Sequence, residues 1–235
     1  MVKVDILGVP FDNLTADAVL QKLLGFLETA ENHMVVTPNP EAVMLARRDG
    51  EFLALLRAAD LVLPDGIGII LAARLLRLPL FERVTGCDIT QALLKSAVGR
   101  SCYLLGAAPN IAEKAAENLR QEGVTVVGFH DGYFTAASEK EIISEIQALH
   151  PDILILGMGM PRQEQWAMRH LADLPCKVTL CVGGTIDILA GNVRRAPVFM
   201  RKIGLEWLYR LISQPSRFWR MLDLPRFLWV VLRGR

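Results

Sequence analysis

The chain has 235 residues, 52% of them hydrophobic and 22% charged, with a formal net charge of +1. That length suits one large α/β domain with an appendage, and the apolar share excludes a disordered chain. No window reaches the ~18 uninterrupted apolar residues of a membrane span; the nearest stretch, Gly66 to Phe81, is broken by Arg74 and Arg77.

The N-terminus enters a strand pattern directly, without the layout of a signal peptide, which reads as a cytoplasmic protein. A strand is predicted at Val4–Val9, a helix at Thr15–Thr29, a strand at Met34–Thr37, and helices at Pro40–Arg48 and Glu51–Ala59. A short strand at Leu61–Leu63 leads to helices at Ile67–Leu76 and Asp88–Val98. Strands at Cys102–Gly106, Val124–Phe129, Ile153–Gly157 and Val178–Val182 then alternate with helices at Asn110–Glu122, Ser138–Leu149 and Arg162–Leu171. Such alternation predicts an α/β fold, with a mainly parallel, Rossmann-like sheet and helices on both faces. After Pro197 the pattern becomes helix after helix, with breaks expected at Pro215 and Pro225. The expected division is an α/β domain over 1–195 and a helical appendage over 196–235.

Residues 201–235 carry a net charge of +6 and residues 1–200 one of −5, and Trp207, Trp219 and Trp229 fall in the basic part. A basic, aromatic tail suits the surface of an anionic membrane. A docked helical pair with a solvated face, or a nucleic-acid patch, would share the charge. The Trp, Phe and Leu content favours lipid or a buried groove, so no nucleic-acid partner is expected. The four cysteines and four histidines show no metal-ligand spacing, and no Asp-x-Asp pair offers a site for a divalent metal. No cofactor and no metal are expected.

Chemistry concentrates where the predicted strands end, the place at which open α/β folds bind ligands. Asp65, in Leu63-Pro-Asp65-Gly, is the first candidate for a general base, although an Asp there can also cap the next helix. Thr37-Pro-Asn39-Pro presents a hydroxyl and an amide from a loop stiffened by prolines. Gly106-Ala-Ala-Pro109 precedes a helix whose amides can receive a phosphate. Gly157-Met-Gly-Met-Pro-Arg-Gln163-Glu164 is half of a dinucleotide fingerprint without its third glycine. Gly183-Gly184-Thr-Ile-Asp187 opens a glycine-dense loop with a carboxylate inside it. Each motif alone could be turn chemistry; several leaving successive strands point to a site.

With these motifs, and with Arg83-Val-Thr-Gly-Cys-Asp88, Arg195-Ala-Pro and Gly204-Leu-Glu-Trp-Leu-Tyr-Arg210, the chain resembles the WecG/TagA/CpsF family of bacterial glycosyltransferases over nearly its whole length. The resemblance implies inverting, metal-independent transfer of N-acetylmannosamine or a related sugar. The donor would be a UDP-sugar and the acceptor N-acetylglucosamine on undecaprenyl diphosphate, at the inner face of the cell membrane, for a teichoic acid linkage unit or a surface polysaccharide. An inverting transfer needs a base for the acceptor hydroxyl, and Asp65 is the choice. The resemblance places Thr37 and Gln163 in the catalytic pocket; Thr37, Asn39 and Gln163 are expected to hydrogen-bond sugar groups, Asp187 to meet the uridine, and the Gly106, Pro109 and Gly184 loops to bind substrate. The charge of departing UDP calls for cations. Arg210, Arg217 and Arg220 match tail arginines thought to enter the family's active site, and Arg83 is a second candidate. The apolar composition leaves room for a homo-oligomer. Two rivals are a nucleotide-dependent oxidoreductase, which lacks its fingerprint here, and a non-catalytic membrane adaptor.

Overall fold

A computed structural model describes residues 2–213 and 223–233. The chain opens in a hairpin, β1 (Lys3–Ile6) and β2 (Val9–Asp12), paired antiparallel as a sheet of its own. The sequence predicts one strand over Val4–Val9; instead Leu7 and Gly8, at φ 54° and 94°, reverse the chain, and Asp5 Oδ1 accepts from the Gly8 N–H at 2.9 Å. Two consecutive residues at positive φ give the turn that tight hairpins favour, but leucine at the first hid it in the sequence.

Helix α1 (Ala16–Phe26) leads to β3 (His33–Val36), then α2 (Pro40–Ala46), α3 (Gly50–Ala58) and the two-residue β4 (Leu61–Val62). Helices α4 (Ile67–Leu75) and α5 (Gly86–Ser96) carry the chain to β5 (Ser101–Gly106). Helix α6 (Ile111–Gln121), β6 (Thr125–His130), α7 (Ala136–Leu149), β7 (Ile153–Gly157), α8 (Arg162–His170) and β8 (Val178–Cys181) follow. The chain then forms α9 (Thr185–Leu189), α10 (Val198–Lys202), α11 (Glu206–Ser213) and α12 (Asp223–Arg233).

Strands β3 to β8 make a six-stranded parallel sheet in the order β4-β3-β8-β7-β5-β6. Its inner strands are apolar runs because both faces are covered, and their period of two divides the core in two layers. Met34, Val36, Leu154 and Leu156 face one layer with Phe52 and Trp166, and Val35, Ile153, Ile155 and Leu180 face the other with Leu23 and Leu93. The edge strand β4 is guarded: Val62 N–H donates to buried Asp12 Oδ2 at 2.9 Å, tying the hairpin to the sheet.

The last helix joins the body. Phe227 and Val231 of α12 lie in the same core layer as Ala42, Val43 and Ala73, and α12 packs on α2 and α4. Pro225, expected to break a helix, sits instead in the first turn of α12, where its missing N–H costs nothing. Pro215 lies outside the described residues. Among the described residues no helix is long and apolar enough to cross a membrane.

Candidate active site

The six parallel strands all point their C-terminal ends at one cavity of about 460 Å³. Its wall takes Thr37 from the loop after β3, Asp65 after β4, Ala107 after β5, Tyr133 after β6, Gly159 after β7 and Asp187 after β8. The strand-exit rule therefore holds here for every strand of the sheet.

Asp65 is half-buried beyond β4, and Gly86 N–H, the first of α5, donates to its Oδ2 at 3.4 Å. The carboxylate thus faces the N-terminal end of an eleven-residue helix, where negative charge is favoured. That end is itself well made. Thr85 Oγ1 accepts from Asp88 N–H at 3.1 Å and donates to Asp88 Oδ2 at 2.6 Å. Arg195 grips Asp88 with both terminal nitrogens, at 2.5 and 2.6 Å. Burial pushes the Asp88 carboxyl up, but the hydrogen bonds from Arg195 and Thr85 outweigh it and leave Asp88 below the usual carboxylate range.

Thr37 lines the cavity with its hydroxyl donating to the Cys181 carbonyl at 3.1 Å, which fixes the β3 exit to β8. Asp187 also lines the cavity, from the short α9 and not from the loop expected for it. Gly184 is exposed at the rim.

Other expectations change. Asn39 lies in the wall, but its Oδ1 accepts from Ala42 N–H at 2.9 Å and caps α2; an Asn before a Pro at the first helical position was a readable sign of that. Gln163 lies in the cavity lining, as expected, but is buried, and its amide oxygen accepts from Gly159 N–H and Gly183 N–H, so it ties two loops together. Arg83 does not reach the cavity: Glu206 holds it at 3.2 Å and the Arg201 carbonyl at 3.4 Å. Gly106 lies buried behind the wall, where a Cβ would fall 2.4 Å from the Gly157 backbone. Pro109 is exposed and outside the cavity lining. Arg217 and Arg220, and the side chain of Arg210, lie outside the described residues.

Three lining residues escaped the sequence reading. Tyr133 is 75% exposed over the cavity, and Arg162 donates to the Gly132 carbonyl at 2.6 Å while covering the Phe134 ring. Glu164 is buried beneath them, with burial pushing its carboxyl up to about 7. Its place in the first turn of a helix looks in sequence like an ordinary surface acid. Among the described residues no group of three or more His, Cys, Asp or Glu is arranged to hold a metal.

An open parallel sheet with polar loops gathered around one ligand-sized cavity defines a Rossmann-like α/β protein. Over residues 4–235 the chain matches the model of the Glycosyl transferase WecG/TagA/CpsF family, and it belongs to that family. Relatives from Staphylococcus aureus strains MRSA252, MW2 and NCTC 8325 are 32% identical over 237 aligned residues, covering 99% of this chain and 93% of each relative. Each is named N-acetylglucosaminyldiphosphoundecaprenol N-acetyl-beta-D-mannosaminyltransferase. The chain is thus a glycosyltransferase, which sets aside the oxidoreductase and adaptor readings.

Proposed function

We propose that the protein transfers N-acetylmannosamine, or a closely related sugar, from a UDP-sugar to N-acetylglucosamine on undecaprenyl diphosphate. The product would serve a teichoic acid linkage unit or a surface polysaccharide. The observation that carries this reading is Asp65, a carboxylate in the cavity wall at a strand exit, in a chain whose relatives bear the name of that reaction. Asp65 takes the proton of the acceptor hydroxyl as its oxygen attacks the anomeric carbon and the bond to UDP breaks, inverting the configuration. Asp187 meets the uridine, and the cavity has the size of a small-molecule site. The reaction runs without a metal, and Arg210, Arg217 and Arg220 of the tail balance the charge on departing UDP.

The tail elements also carry the contact with the inner face of the cell membrane. Val198, Phe199, Ile203, Ile212, Trp229 and Leu232 are exposed apolar side chains within them, and the basic charge of this region favours anionic lipid. In this account the tail closes over a bound donor, so turnover depends on a lid.

The test is a donor screen against a short-chain lipid-diphosphate acceptor, with and without EDTA, beside calorimetric titration with UDP. Transfer of N-acetylmannosamine unaffected by chelation supports the reading. Failure to bind UDP, or transfer only from another nucleotide sugar, removes it. Sedimentation with anionic vesicles tests the membrane contact, and a protein left in the supernatant at low salt refutes it.

A further inference from the structure

Gln163 and Glu164 open α8 side by side, and the transfer proposed above assigns neither a step. Gln163 Oε1 receives the N–H groups of Gly159 and Gly183, each at 3.1 Å. Gly159 belongs to the loop after β7 and Gly183 to the loop after β8, so one side-chain oxygen pins two walls of the cavity. The two glycines sit at φ 81° and 53°, conformations that glycine adopts without the cost a side chain would bring.

The pin works in one orientation of the amide. Turned over, Gln163 would set its NH2 against two N–H donors. What selects the working orientation is the neighbouring carboxyl: Gln163 Nε2 donates to Glu164 Oε1 at 2.8 Å. Glu164 is 4% exposed, and its Oε2 is buried with no hydrogen-bond partner. A carboxylate so placed would carry a charge with one bare oxygen, which favours the protonated acid.

Among the described residues, the packed elements bring no cation to relieve it. From β8 it faces the Cys181 thiol, which burial holds well above its ordinary range, and β7 offers no titratable residue. His33, on β3, is held by Asp60. Glu51 of α3 is exposed and Arg57 donates to the Gly8 carbonyl. Glu139 of α7 pairs with His170 and Arg169 at the other end of α8. Asp65, Asp187 and Tyr133 line the same cavity, and Arg162 of α8 itself is turned toward Gly132.

We propose that Glu164 is a positioning residue, fixing the Gln163 amide so that it clamps the glycine loops after β7 and β8 and holds the cavity in its binding shape. It does so as the neutral acid. Ionisation draws the carboxylate toward water and loosens the clamp. The inference rests on the glycosyltransferase reading for its effect on turnover, whereas the clamp is read without substrate.

The experiment compares wild type, Glu164→Gln, which keeps an acceptor without charge, and Glu164→Leu, which has none. Exchange of the Gly159 and Gly183 amides is followed by NMR at pH ~6 and ~8, together with UDP affinity and kcat/KM. Glu164→Leu is expected to speed exchange at both glycines and lower kcat/KM by about tenfold, and Glu164→Gln to restore both to within about twofold. In wild type the two amides exchange faster at the higher pH by more than base catalysis accounts for, and Glu164→Gln lacks that excess. A folded Glu164→Leu with unchanged protection, or a Glu164→Gln no better than Leu, overturns the proposal. Should Glu164→Leu fail to fold, parallel pH responses of wild type and Glu164→Gln overturn it. Exchange behaving as expected in a protein that binds no UDP would leave the clamp standing and refute the functional reading.

Discussion

Asp65 combines a strand exit, half-burial and the N-terminal amide of α5 in one carboxylate. Asp65→Ala is expected to lower kcat by ~10² to 10⁴ while UDP affinity changes little, as steady-state kinetics and calorimetry would measure; equal losses in both would demote it to a binding group. Glu164 gives a pH signature. Its folded pKa of about 7 lies above its ordinary 4.5, so between these values the native state holds more proton than the unfolded chain, and stability falls as pH rises. Below that window there is no penalty and above it the penalty is complete. Wild-type Tm is therefore expected to fall relative to that of Glu164→Gln from pH ~4.5 to ~7, and parallel Tm curves in calorimetry would contradict this. Asp65 was legible because its position relative to a strand carries the information. The clamp that Gln163 makes and the role of Glu164 were not, because Gly159 and Gly183, which donate to Gln163, come together only in the folded sheet, and Glu164 is engaged through Gln163.

Element by element, the same difference holds. The apolar runs of β3, β7 and β8 announced a buried parallel sheet, since strands covered on both faces need no polar alternation. The N-terminal hairpin stayed hidden behind Leu7, and the docking of α12 behind the basic charge of residues 201–235. Helix α4 explains that docking. A Cβ on Gly68 would lie 2.5 Å from Pro40 Cγ and 2.6 Å from Leu224 Cδ1, so the missing side chain lets α2 and α12 approach. Gly68→Ala gains helix propensity of ~1 kcal/mol but overpacks a rigid proline ring at ~1–3 kcal/mol. Its Tm is expected to drop by a few degrees, and a Tm above wild type would show that α2 or α12 yields easily. Thr85→Ala removes the cap of α5 and is expected to cost ~1 kcal/mol in denaturant unfolding; an unchanged midpoint would show that Asp88 and Arg195 hold the helix end without it.

At the scale of the molecule, the chain after residue 195 is tied to the body. Arg83, Asp88, Arg195, Arg201 and Glu206 fasten its root, and Phe227 and Val231 enter the core. Removing everything after residue 195 takes away Phe227 and Val231, whose burial is worth ~2 kcal/mol or more each, and uncovers the apolar surface they cover. The shortened protein is expected to melt well below full length and to bind ANS. An equal Tm would show that the tail adds nothing to the stability of the body.

The order of the sheet also bears on how the protein is made. Strand β8 pairs with β3 on one side and β7 on the other, so residues 178–181 join two ribbons that are otherwise unconnected in the sheet. A nascent chain that has not yet extended past them holds a β4-β3 ribbon and a β7-β5-β6 ribbon, each with a bare edge. Donor binding cannot begin during synthesis before that strand slots in, because the pocket has walls from both ribbons and from β8 itself.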